Sequence, residues 1–153
     1  MSTSLNWAAR VVDLAIRPAS RAPMQCVAAS DASVGGSLAG DHGSNRHRGI
    51  TLLASGAWRD VCDDLGAELP WHARRANVLL EIDSLSALIG QRLRLGELLL
   101  HIHRETTPCG RMDEVLPGLC RALCDDCRGG VCGEILRGGT LRVGDIATLE
   151  ARS

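Results

Sequence analysis

Three groups of side chains in this 153-residue chain could do chemistry. Cys109 sits between Pro108 and Gly110, with Arg111 two residues on. Proline fixes the backbone before the thiol, and glycine leaves room for a ligand after it. A nearby guanidinium and a helix start within reach both favour thiolate, the form that attacks or binds metal. Arg74, Arg75 and Asn77 form the second group, next to Trp71 and His72. Paired guanidinium groups hold a phosphate in bidentate geometry, and Asn77 would add a fixed polar contact. A solvated basic corner is the other reading of the same residues.

The third group is Cys120-x3-Cys124-x2-Cys127, with Cys132 beyond. Four thiolates could hold zinc or an iron–sulfur cluster. Against this, a helix over 117–127 would put Leu119, Cys120, Leu123, Cys124 and Cys127 on one apolar stripe, where cysteine behaves as a small hydrophobe. Cys62 falls on a second such stripe, and Cys26 and Cys132 fall in strands. Cys109 is then the one reactive thiol of the seven cysteines. His101 and His103 alternate on the polar face of a strand, a position where histidine is ordinarily just solvated.

Short strands must position these groups. Val12, Leu14 and Ile16 alternate with polar or small residues up to Pro18, and a second strand is expected over 24–29. Ser, Gly, Asp and Asn dominate 30–48, which reads as a long loop, either mobile or functional. Ile50 to Ala54 forms a strand. Ser55 offers an N-cap to a helix near 56–65 whose Trp58, Val61, Cys62 and Leu65 share a face before Gly66. Val78, Leu80 and Ile82 share the face of another strand, and Leu85 to Ile89 makes a single turn closed by Gly90. A hairpin through Gly96-Glu97 points Leu98, Leu100 and Ile102 one way. Strands at 131–136 and 141–149, joined through Gly138-Gly139, complete a mostly β chain: a compact, mostly antiparallel barrel with two short helices.

Composition narrows the function. Hydrophobic residues are 45% and charged ones 23%, an ordinary globular mix for one domain over 1–153. The sequence contains no lysine, so all 17 basic residues are Arg, and Phe and Tyr are absent too. No pyridoxal phosphate can be held as a lysine Schiff base, and there is neither a Walker lysine nor a tyrosine acid. A net charge of −1 and three tryptophans argue against a nucleic-acid partner. No apolar run is long enough to span a membrane, and Met1 to Arg10 lacks the apolar core of a signal peptide. An odd cysteine count without such a signal points to reduced thiols and a cytoplasmic protein.

Taken in order, several pieces resemble one family. They are Arg17-Pro18, Gly40-Asp41, "RGITLL" over 48–53, "RRANVL" over 74–79, Leu88-Ile89-Gly90, Thr107-Pro108-Cys109, Gly138-Gly139 and Val143-Gly144-Asp145. Their order and spacing, over residues 12–149, resemble the MOSC domain, the C-terminal domain of molybdenum cofactor sulfurases. The resemblance implies a β-barrel-like fold, a molybdenum–pterin cofactor (molybdopterin), and a characteristic cysteine that maps onto Cys109. Arg74, Arg75 and Asn77 are then expected to line the same cavity as Cys109 and to bind the cofactor's phosphate. It also implies one of two chemistries. In one, Cys109 ligates molybdenum in a reductase of N-hydroxylated compounds. In the other, it carries sulfur as a transferase between partners such as a cysteine desulfurase and a molybdoenzyme. A non-catalytic binding module with a degenerate site is the alternative.

Overall fold

Alternating apolar residues turn most of the chain into strands, and the glycines between them turn it back. The computed structural model describes residues 7–20, 22–42, 49–108, 110–124 and 126–150. Ten strands follow in order: β1 (Ala8–Ile16), β2 (Gln25–Val27), β3 (Ala29–Ala32), β4 (Ile50–Ala54), β5 (Val78–Leu80), β6 (Arg92–Leu95), β7 (Leu98–Glu105), β8 (Val131–Arg137), β9 (Gly139–Arg142) and β10 (Ile146–Leu149). Seven of them close a barrel in the order β10-β6-β7-β8-β4-β5-β1, with β1 pairing back onto β10. β2 extends β1 outward, and β3 pairs with β9 in a separate two-stranded sheet. All pairings are antiparallel except β4 with β5. The expected barrel is therefore what forms.

The parallel pair needs a crossover, and α1 (Ser55–Leu65) supplies it. Gly66 ends α1 in the left-handed region at φ +62°. Ser55 is not the cap expected of it; it is the first helical residue, and Ala54 takes the cap position without a side-chain bond. Two further helices, α2 (Met112–Val115) and α3 (Leu119–Ala122), have one turn each. The expected helix over 117–127 is thus shorter than its apolar stripe implied. Gly118 stands at φ +92°, and Asp126 and Cys127 are both left-handed, so helical geometry cannot run through.

Two cores result. Leu52, Leu80, Leu93, Leu100, Ile102 and their neighbours fill the barrel, while Leu53, Trp58, Val61, Leu119 and Leu123 pack the helices onto its outer wall. Every residue of β4 is buried because this strand has a core on each side. In β1 the expected alternation through Val12 changes face. With a bulge between Val11 and Asp13, Val11, Leu14 and Ala15 are the fully buried residues of the strand. The long loop expected over 30–48 is shorter than it looked, since β3 and a bridge at Leu38 occupy part of it; residues 43–48 lie outside the described residues. The last strand, expected over 141–149, is split at Val143-Gly144-Asp145 between two sheets, with Gly144 at φ +97°. No helix among the described residues is long and apolar enough to cross a membrane.

Asn77 joins three strands at the point where the parallel pair begins. Its Oδ1 accepts from the Thr51 amide and hydroxyl, both at 3.0 Å, and its Nδ2 donates to the Ala15 carbonyl at 3.1 Å. All of this is buried, so removing the amide strands polar groups away from water. Asn77→Ala is expected to lower unfolding stability by about 2–4 kcal/mol, read from the denaturant midpoint. A loss under about 1 kcal/mol would mean that water replaces the amide there.

On the barrel's outside, His101 and His103 stand edge to face with ring centroids 4.5 Å apart. Burial, and then the neighbouring His103, hold the His101 pKa below its ordinary 6.5. The folded chain therefore binds this proton less readily than the unfolded chain. Its contribution to stability is intact above pH 6.5 and declines as pH falls through that value to the lowered one. Thermal unfolding should show this loss between pH 7.5 and 5, and His101→Gln should flatten the slope in that range.

Candidate functional site

The end of β1, the start of β4, the segment entering β5 and the segment leaving β7 come together around a cavity of about 820 Å³. Arg17, Arg74, Arg75 and Arg111 line it, opposed by the carboxylates of Asp41 and Glu114. Asp41 is already engaged: its Oδ1 accepts from the Arg17 amide at 2.8 Å and its Oδ2 from Ser37 at 3.2 Å. The remaining field favours an anion.

Each arginine is placed by a local device. Trp71 to Arg74 form a 3-10 turn, tethered to β1 where the Trp71 indole donates to Asp13 Oδ2 at 2.9 Å. Arg74 ends the turn buried, and its Nη2 donates to the Thr106 carbonyl at 2.9 Å. Arg75 follows at φ +66°, a left-handed conformation that non-glycine residues adopt at a cost of about 1–2 kcal/mol. That backbone turn separates the two side chains, so Arg74 forms the buried floor while Arg75 stands exposed at the rim. The paired arginines are therefore not equivalent. Arg17 is set by the Asp41 contact and donates through Nη2 to the His42 carbonyl at 3.1 Å.

Asn77 lines the same cavity, with Oδ1 committed to Thr51 and one Nδ2 hydrogen to Ala15. The structure thus brings Arg74, Arg75 and Asn77 together. Cys109 lies outside the described residues, while Thr107 and Arg111, near it in sequence, line the cavity. Thr106 and Gly129 are among the lining residues that the sequence did not single out. Thr106 gives no signal beyond preceding Thr107-Pro108. Gly129 could have been found from Gly129-Gly130, a pair that asks for bare backbone. A Cβ on Gly129 would stand 3.0 Å from the Thr106 carbonyl and 3.2 Å from Arg74 Nη2. Met24, Met112 and Val115 make an apolar section of the lining.

The other cysteines divide differently from the expected stripe. Cys132 is fully buried, and Cys62 and Cys120 are half-buried against the outer core. Cys124 is exposed, its thiol donating to the Cys120 carbonyl at 3.3 Å, because the helix ends before it can turn inward. Cys127 packs against the barrel core, where burial, and then the Glu105 charge, raise its pKa. Cys26 is exposed, yet slight burial and the Asp13 carboxylate push its thiol the same way. Among the described residues, no three His, Cys, Asp or Glu side chains converge to hold a metal ion. Four thiolates around one zinc or cluster do not form there.

The MOSC domain model matches residues 39–148. No curated protein matches the sequence. The fold is similar to that of the YUAD protein from Bacillus subtilis, at TM-score 0.79 and 18% identity over 96% of this chain and 98% of that one. It is also similar to YiiM from Geobacillus stearothermophilus, at TM-score 0.77 and 17% identity over 94% and 76% of the two chains. YiiM from Escherichia coli gives 0.73 and 14% over 94% and 71%. These identities carry the likeness in fold alone. The family model covers well over half of the sequence, and the chain belongs to the MOSC domain family, which is associated with the molybdenum cofactor.

Proposed function

We propose that the arginine-lined cavity binds a phosphate-bearing molybdenum–pterin cofactor and that Cys109 works on it. The observation that carries this reading is four guanidinium-bearing residues around one cavity in which Asp41 is already held by Arg17 and Ser37. The donor set suits a phosphate oxygen cage, and Gly129 lets the Arg74 guanidinium and the Thr106 carbonyl pack where a Cβ would crowd them. Arg75 and Arg111 reach the anion from the rim and Arg74 supports it from the floor. Asn77 offers its remaining Nδ2 hydrogen while keeping β4 and β5 in register.

The cofactor supplies redox and sulfur chemistry at molybdenum; the chain supplies a fixed anion site and a thiolate. Two uses of Cys109 follow from the family. As a metal ligand it would serve a reductase of N-hydroxylated compounds. As a persulfide carrier it would take sulfur from a cysteine desulfurase and pass it to a molybdoenzyme's cofactor.

The full chain, expressed with abundant cofactor, is expected to retain molybdenum and pterin. Arg75→Ala should cut retention about tenfold or more, the loss of a charge-assisted contact, with the melting temperature nearly unchanged because Arg75 is exposed. Arg74→Ala is a different experiment, since it leaves the Thr106 carbonyl unpaired and lowers stability as well. Cys109→Ser should lose molybdenum or the carried sulfur while pterin binding persists. A chain that stays free of molybdenum and pterin under these conditions is a non-catalytic module instead.

A further inference from the structure

Thr106 has three hydrogen-bonding groups, of which two are bonded. Its amide donates to the Gly130 carbonyl at 2.9 Å, and its own carbonyl accepts from Arg74 at 2.9 Å. Its Oγ1 is buried and has no hydrogen-bond partner among the described residues, in a residue only 6% exposed. Buried hydroxyls almost always find a partner, and a missing one calls for an explanation. The surroundings supply it. Thr106 lines the cavity beside Arg74 and the bare backbone of Gly129, with Arg75 and Arg111 around the same space. The Thr106 amide and carbonyl fix the backbone, and the residue lines a cavity whose side chains bring four guanidinium groups against two carboxylates.

We propose that Thr106 is a ligand-binding residue whose Oγ1–H donates to an oxygen of a phosphate monoester seated on the arginines. An acceptor-only oxygen is what this hydroxyl lacks and what the guanidinium groups would attract. The desolvation of this hydroxyl is then offset by the bound anion. The inference rests on the cofactor reading for the ligand's identity, but its chemistry needs only the phosphate group.

The test uses the full chain, free of ligand, titrated calorimetrically with inorganic phosphate, next to Thr106→Val and Thr106→Ser. Valine keeps the shape and removes the hydroxyl; serine keeps the hydroxyl. Valine is expected to weaken phosphate binding about tenfold or more, with the ligand-free melting temperature unchanged or raised. Serine should bind within about twofold of the parent. Equal phosphate affinity in the valine variant overturns the proposal, as does a parent chain that binds no phosphate. A valine variant that fails to fold, or melts well below the parent, also overturns it, because the hydroxyl would then be bonded within the protein. Pterin retention separates the two readings. If the parent and the valine variant retain pterin equally, the role of Thr106 is wrong and the cofactor reading stands. If phosphate binding weakens in valine but no variant ever carries pterin, the anion contact stands and the cofactor reading falls.

Discussion

The Asn77 amide does for this barrel what a length of strand would otherwise do. Just before β5 pairs with β4, the chain has to leave a left-handed turn at Arg75 and enter the sheet between the parallel β4 and the antiparallel β1. One carboxamide offers an acceptor toward Thr51 and a donor toward Ala15, matching the two sides of that gap. The backbone of Asn77 repeats the pattern, donating to the Thr51 carbonyl at 2.9 Å and accepting from Ala15 at 2.8 Å. Aspartate could not do this, having no donor, and leucine would leave Thr51 and Ala15 unsatisfied in a buried place. Arg75 and Arg74 are two and three residues away, so the same stitch that closes the wall sets the angle at which they reach the cavity.

Binding and folding are therefore coupled unevenly across the site. Arg74 is tied to Thr106 and packed beside Gly129, so it belongs to the scaffold as much as to any ligand. Arg75 is free to be changed with little structural cost. Arg111 stands at the start of a one-turn helix whose hold on the outer core comes largely through Met112. A cavity assembled from a rigid floor and a replaceable rim can change its ligand by changing the rim.

The strands were legible wherever apolar and polar residues truly alternate. Leu98, Leu100 and Ile102 in β7, and Val78 and Leu80 in β5, point inward as the pattern implies, and Gly96 at φ +57° makes the hairpin turn. The phase of β1 was not legible because Val11 and Val12 are adjacent and equally apolar, and only the bulge decides which is buried. The helix stripe failed for a related reason. Periodicity over Leu119, Cys120 and Leu123 is real, but Gly118 and the left-handed pair at Asp126 and Cys127 cut it to one turn. At the site, Arg74, Arg75 and Asn77 stood out because polar residues at a strand entrance are conspicuous. Thr106 and Gly129 did not, since their meaning lies in a contact between segments more than twenty residues apart, which no local pattern records.

The pairing of β1 with β10 has a consequence for the architecture of larger proteins. Ala8 lies opposite Thr148, so the chain enters and leaves the barrel at one spot on its wall. A unit built this way can be spliced into a loop of a host with its two attachment points already side by side, and the host need not stretch to receive it. For the same reason a short linker between those ends, with new ends opened elsewhere on the surface, should yield a circularly permuted barrel. Modularity here is a product of closure: the strand pair that seals the cylinder also turns it into a portable part.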